Sequence, residues 1–163
     1  MNRILIVYTT RKGMSEITAN LISKILHDKF SFDVEVLNLK KNNKTLKFDN
    51  YDKIIIGSSV AYGRWNKEAL KFLEQEFNNK PIAIYVTSSN AGDALKKGDM
   101  KEYEKWQKQY IDDIISKYDN LNVVEKRAFG GKIHYFSFTF IDNWDKNEVE
   151  KWAERLGETL STN

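Results

Sequence analysis

The chain has 163 residues, 41% of them apolar, a formal net charge of +3 and no cysteine. That length supports a sizeable core and that composition excludes a wholly disordered protein, while the missing cysteine excludes disulfides, thiolate nucleophiles and cysteine-held iron–sulfur clusters. Charges of both signs are interspersed, which argues against a nucleic-acid partner, and no apolar run reaches the roughly 18 residues of a membrane span, so a cytoplasmic protein of one domain, residues 1–163, is expected.

In chain order, Ile4-Leu5-Ile6-Val7-Tyr8 is a β-branched run that breaks into Thr9-Thr10-Arg11-Lys12-Gly13-Met14-Ser15. Ile17, Leu21, Ile22, Ile25 and Leu26 then recur at helical spacing, which predicts strand, tight loop and helix with Ser15 as N-cap. A junction of this kind is an anion site, because unpaired amides at the helix start, the helix dipole and nearby hydroxyls converge on the loop. Val34 and Val36, with Leu37 and Leu39, predict a second strand, followed by a polar connection through Asn42-Asn43-Lys44. Lys40, Lys41, Lys44 and Lys47 here, and Lys96, Lys97, Lys101, Lys105 and Lys108 later, read as solvated faces.

The continuous run Ile54-Ile55-Ile56 fits a central parallel strand covered on both faces. It ends in Gly57-Ser58-Ser59-Val60-Ala61-Tyr62-Gly63-Arg64-Trp65, a loop of small residues with two large aromatics. A helix over 67–77 burying Leu70, Leu73 and Phe77 leads to the strand Ile82-Ala83-Ile84-Tyr85-Val86, which ends in Thr87-Ser88-Ser89-Asn90-Ala91-Gly92-Asp93. Tyr103, Trp106, Tyr110, Ile111, Ile114, Ile115 and Tyr118 form the apolar stripe of a longer helix, read as core. A last core strand opens at Val123 and runs through Ala128-Phe129 to Gly130-Gly131. The alternating segment His134 to Phe140 suits either a short extra strand or an apolar surface flap, and a final helix over 145–160 buries Val149, Trp152, Ala153, Leu156 and Leu160.

Five strands alternating with helices imply a three-layer, doubly wound parallel α/β sheet, since parallel neighbours need crossover connections. Three successive strands end in polar, glycine-bearing loops, so those loops should converge on one pocket outside the carboxyl ends of the strands. A metal site is not expected, because His27 and His134 are isolated and no carboxylate pair has ligand spacing. A Walker loop lacks its lysine, Met14 standing in that place, and neither a Gly-x-Ser-x-Gly elbow nor three spaced glycines after a strand is present. No side chain is singled out as a catalytic acid or base. A mononucleotide with an aromatic ring fits better: the first loop would hold a phosphate and the aromatics of the second would stack on the ring.

Thr9-Thr10-Arg11-Lys12-Gly13-Met14-Ser15 resembles the phosphate loop of flavodoxins, whose usual form is Ser/Thr-x-Thr-Gly-x-Thr. Within that superfamily the chain is most similar to the menaquinone-dependent protoporphyrinogen dehydrogenases, whose phosphate loop has the form Ser-Thr-Arg-x-Gly-x-Thr. Their second loop resembles Gly57-Ser58-Ser59-Val60-Ala61-Tyr62-Gly63, and Asp142-Asn143-Trp144-Asp145 matches the start of their Trp-bearing last helix. The resemblance implies a sheet of order 2-1-3-4-5 and non-covalent FMN. Thr9, Thr10, Arg11, Lys12, Gly13, Met14 and Ser15 would surround the phosphate; Ser58, Ser59, Ala61, Tyr62, Gly63 and Trp65 would meet the ring; Thr87, Ser88, Asn90 and Gly92 would border its pyrimidine edge. Tyr62 or Trp65 would supply the stacking face, the alternative being that they plug the loop onto the sheet. Gly63 would let a peptide turn toward the proton of the reduced ring's N5. The chain departs from the electron-carrier pattern at Lys12 and Met14, and only residues 132–140 stand where the dehydrogenases carry a longer basic and aromatic segment. An FMN-dependent oxidoreductase is expected, with an electron shuttle as the alternative, and the redox partner would be a quinone, a small organic substrate or an electron-transfer protein. A homodimer is compatible with the sequence.

Overall fold

The computed structural model describes residues 2–42 and 45–163. Asn43 and Lys44, in the predicted polar connection, lie outside the described residues. Five parallel strands form one sheet in the order β2-β1-β3-β4-β5: β1 (Arg3–Thr9), β2 (Asp33–Asn38), β3 (Lys53–Ser59), β4 (Pro81–Thr87) and β5 (Asn122–Phe129). The β-branched runs fall on the three inner strands, where Ile4 to Val7, Ile54 to Ile56 and Ile82 to Val86 are fully buried. Such strands are apolar on both faces because helices cover both. α1 (Met14–Phe30) and α6 (Lys146–Thr162) pack on one face around Ile6, Ile22, Leu26, Tyr85 and Trp152. On the other lie α2 (Lys67–Phe72), α3 (Ser89–Lys97) and α4 (Met100–Gln107), around Leu5, Ile54, Ile84, Leu73 and Tyr103.

Several elements differ in detail from their sequence expectation. α1 is N-capped by Gly13 at φ +88° and starts at Met14, so Ser15 lies within the first turn and is not the cap. Its buried stripe accordingly starts at Met14 and Thr18, and Ile17 is left 48% exposed. α2 stops at Phe72 because the chain tightens into i→i+3 bonds at Glu74 and Gln75, and then turns through Asn78 and Asn79 with positive φ; Leu73 and Phe77 are buried all the same. The hydroxyl-rich segment after β4 is no loop: Ser88 caps α3, its side chain accepting from the Ala91 amide. The long aromatic helix is interrupted, α4 passing into a π turn (Lys108–Asp112) before the short α5 (Asp113–Ile115). The segment after β5 is both things the alternation allowed. It forms an antiparallel hairpin, β6 (Lys132–Tyr135) and β7 (Phe138–Asp142), whose Tyr135, Phe136, Phe138 and Phe140 are exposed.

Register brings the polar strand ends level. Thr9 pairs with Ser58, Ser59 with Thr87, and Thr87 with Phe129. The order of strands reverses between β1 and β3, so the loops leaving them diverge and open a crevice at that edge. No helix among the described residues is long and apolar enough to cross a membrane.

Candidate functional site

Three strand ends and the base of the hairpin enclose a cavity of about 480 Å³, within the ordinary range for small-molecule sites. Its first wall is the loop after β1. Thr10 Oγ1 accepts from the Gly13 amide at 2.8 Å and folds the loop back on itself. Gly13 has space around its Cα, so what the position demands is its positive φ. The first intrahelical bond runs from Ile17 N–H to Gly13 C=O at 3.1 Å. The amides of Met14, Ser15 and Glu16 therefore precede the ladder, at the positive end of a 17-residue helix.

The second wall is a two-residue hairpin turn. Ala61 and Arg64 exchange both backbone bonds, at 3.1 and 3.0 Å, around Tyr62 at φ +51° and Gly63 at φ +72°. Positive φ at both central positions is the type I′ pattern, natural for Gly and strained for Tyr. The fold tolerates that strain and leaves the Tyr62 side chain fully exposed, the placement expected of a residue held for contact rather than for packing. Trp65 behaves otherwise: it is 3% exposed, and its Nε1 donates to the Tyr110 carbonyl at 2.7 Å. Of the two aromatics, Trp65 plugs the loop onto the sheet and Tyr62 is free to offer a ring face.

Arg11 ties these two walls together. Its Nη1 donates to Ser59 O at 2.8 Å, to Arg64 O at 3.3 Å and to Ser59 Oγ at 3.3 Å. Partial desolvation lowers its pKa from the ordinary arginine value, with Glu68 opposing, and the group stays charged at neutral pH. The third wall is the start of α3, where Ser88, Ser89 and Asn90 line the cavity, and Asn90 Nδ2 donates to the Tyr110 hydroxyl at 2.8 Å.

Of the residues singled out by sequence, Thr10, Arg11, Lys12, Met14, Ser59, Ala61, Tyr62, Gly63, Thr87, Ser88 and Asn90 line the cavity. Others stand behind its wall. Thr9 Oγ1 donates to Ser58 Oγ at 3.2 Å, Ser58 Oγ donates to Ser59 O at 3.1 Å, and Ser15 Oγ is bonded to Thr87 Oγ1 at 3.0 Å; Thr9, Ser15 and Ser58 are fully buried. The Ser15 backbone amide is one of those that precede the hydrogen-bond ladder of α1. Gly92 faces away, toward a different contact: a Cβ there would meet Asn143 Oδ1 at 2.2 Å and Gly130 Cα at 2.5 Å, so its role is close packing of α3. Sequence reasoning missed Val60, Ser89, Tyr110, Gly131, Lys132 and Ile133. It also missed Asn143, which accepts from the Gly131 amide at 2.9 Å and donates to Ser89 O at 2.7 Å, fastening the hairpin base to α3. Asn143 lies in the quoted Asp142-Asn143-Trp144-Asp145 stretch, and an Asn ahead of a helix was the available signal.

A parallel sheet of this order, with a cavity outside its strand ends at the strand-order reversal, places the chain among the doubly wound α/β proteins that use that crevice for ligands. The chain belongs to the flavodoxin domain family, whose sequence profile matches residues 5–156. Among curated proteins it is 26% identical over 86 residues to protoporphyrinogen IX dehydrogenase [quinone] of Escherichia coli strain K12, covering 51% of this chain and 46% of that one. To the enzyme of the same name from Leishmania major it is 24% identical over 92 residues, covering 55% and 39%. Each match thus spans less than half the length of the curated relative. Among solved structures, oxidised flavodoxin 1 from Bacillus cereus superposes with a TM-score of 0.63 at 15% identity, covering 99% of this chain and 98% of that one. A flavoprotein from Lactobacillus acidophilus in complex with FMN gives 0.58 at 19% identity, covering 94% and 99%. At these identities the structural likeness establishes the fold.

Proposed function

We propose that the chain is a single flavodoxin-like domain that binds FMN non-covalently and works as a cytoplasmic oxidoreductase. The observation that carries this reading is the convergence of the Thr10–Ser15 loop, the Tyr62-Gly63 turn and the start of α3 on one cavity. The donor set suits a phosphate at one end, with the Ser15 and Glu16 amides, Thr10 and the cationic Lys12. It suits a planar ring at the other, with the exposed Tyr62 and the mixed donors and acceptors of Ser88 and Asn90. FMN, when bound, supplies one- and two-electron transfer that no side chain here could provide. The protein holds the phosphate, orients the ring, and through Gly63 supplies a peptide free to present its carbonyl or its amide. Lys132 and Ile133 form the side of the cavity nearest the hairpin.

Two partners fit this site. The exposed aromatics of the hairpin, continuous with Ile133 in the cavity wall, give an apolar surface on which a quinone or other organic substrate would lie. This favours the dehydrogenase reading, in line with the curated relatives. Near-complete coverage of the Bacillus cereus flavodoxin supports the second reading, a shuttle between electron-transfer proteins. The decisive first measurement is the visible spectrum of the purified protein, with fluorescence titration of FMN and riboflavin. Flavin absorbance and tighter binding of FMN are expected; a protein that stays colourless with FMN added ends the proposal. Stopped-flow oxidation by a quinone, set against exchange with an iron–sulfur protein, then separates the two partners.

A further inference from the structure

Six of the nine large apolar side chains exposed among the described residues lie in the β6–β7 hairpin: Ile133, Tyr135, Phe136, Phe138, Phe140 and Ile141. The four aromatics are between 65% and 88% exposed. At about 200 Å² for each aromatic side chain, they present on the order of 600 Å² of apolar surface. That is the upper end for the largest patch on an ordinary monomer. The two isoleucines bring it close to the area, about 800 Å², that each partner gives to a standard interface. Only Lys132 and Ile133 of the hairpin line the cavity, so a small ligand there leaves β7 and the hairpin tip uncovered.

The backbone indicates what would cover them. All five residues of β7 are exposed, and β7 pairs with β6 alone among the described residues. Its outer edge therefore offers a row of unpaired N–H and C=O groups. The stretch Phe138-Thr139-Phe140-Ile141 contains neither the lysine nor the proline that blunts such an edge. The register shift at Ile133 and His134 also leaves Phe140 without a cross-strand partner in β6. A two-stranded ribbon gains stability from further strands that share its apolar face. Lipid cannot supply a strand, and an open sheet edge in hydrocarbon leaves its amides unsatisfied. Charge points the same way. Lys132 is paired with Asp142 at 3.4 Å and residues 135–141 carry no charge, so the hairpin has no cationic patch to draw anionic lipid and nothing to repel a second copy of itself.

We propose that the hairpin is a self-association surface, on which the β7 edges of two copies pair antiparallel about a twofold axis. The result is a four-stranded sheet with the aromatics of both copies set against one another. A twofold contact is self-complementary and closes at two copies, so it covers the edge without growing into a fibre. The pairing needs no bound flavin, and its failure would leave the ligand reading untouched.

Sedimentation velocity of the intact chain across a wide range of concentration is the first test. A species of twice the 19.1 kDa chain mass is expected. Phe140→Lys should raise its dissociation constant by at least about thirtyfold, the scale of a buried aromatic anchor. Phe140 is exposed in the single chain, so the unfolding midpoint of the monomer should not change. The lack of native cysteine allows a second test. Thr139→Cys should give a disulfide-linked dimer under mild oxidation, whereas Lys151→Cys, at an exposed position of α6, should stay monomeric. A wild-type chain that is monomeric at every concentration overturns the proposal, and its binding to phosphatidylcholine vesicles would assign the hairpin to lipid instead. A dimer indifferent to Phe140→Lys, or equal cross-linking at the two cysteines, overturns it as well.

Discussion

Arg11 is the residue at which charge and architecture meet. Sequence assigns it to the phosphate, because a guanidinium in an anion loop is a natural partner for one. The structure directs its Nη1 onto the Ser59 and Arg64 carbonyls, so the phosphate loop and the ring loop are fastened to each other by one side chain. Loss of that fastener should be felt at both ends of the ligand. Arg11→Ala is expected to weaken FMN and riboflavin alike by about tenfold, or about 1.4 kcal/mol, the scale of one hydrogen bond to a charged group. Paired titrations decide the matter. A loss confined to FMN, with riboflavin binding untouched, would instead place the Arg11 charge on the phosphate.

Among the elements, the contact between β3 and β4 shows how closely the site depends on the sheet below it. Gly57 and Tyr85 are direct neighbours in register, and a Cβ on Gly57 would stand 2.1 Å from Tyr85 Cζ. Tyr85 is fully buried, and its hydroxyl donates to Ser15 O at 2.7 Å, holding the first turn of α1 down on the sheet. Gly57→Ala should therefore destabilise the protein by about 3 kcal/mol in urea denaturation, the upper end of ordinary overpacking. Combined with Tyr85→Leu it should cost clearly less than the two single changes added together; strict additivity would show that the two positions do not compete for space. Which features were legible in sequence follows the same logic of local against distant causes. The inner strands announce themselves through β-branched runs, and the loops that follow them through hydroxyls and glycines, so the sheet and most of the cavity could be read directly. Tyr110 could not, because a helical stripe of aromatics has the same spacing whether its polar ends meet core or cavity. Lys132 and Ile133 escaped because no local pattern states where a hairpin folds back. Trp65 and Tyr62, adjacent in type, are separated only by the turn: φ +51° at Tyr62 turns one ring outward while the other is buried.

At the scale of the whole molecule the balance of charge around the cavity bears on its redox behaviour. Among the described residues, the charged ones lining it are Arg11, Lys12 and Lys132, with Arg64 on the adjoining hollow, and no carboxylate lines either. Lys132 is partly offset by Asp142 at 3.4 Å, and the chain as a whole carries +3. Electrons delivered to a bound flavin add negative charge, and a cationic surround favours that addition. The reduced state should therefore be easier to reach than in a protein whose site is ringed by carboxylates, and the potential should fall as salt screens the rim. Arg64→Glu provides the direct test, since the side chain is exposed and the substitution changes the local charge by two. Two charges at about 10 Å contribute about 0.8 kcal/mol even at the dielectric of water, on the order of 35 mV per electron. A redox titration of the FMN-loaded protein should show the Arg64→Glu potential lower by that order at low salt, with the gap closing as ionic strength rises. A potential indifferent to both the substitution and the salt would mean that the cationic rim acts on the approach of partners and not on the flavin.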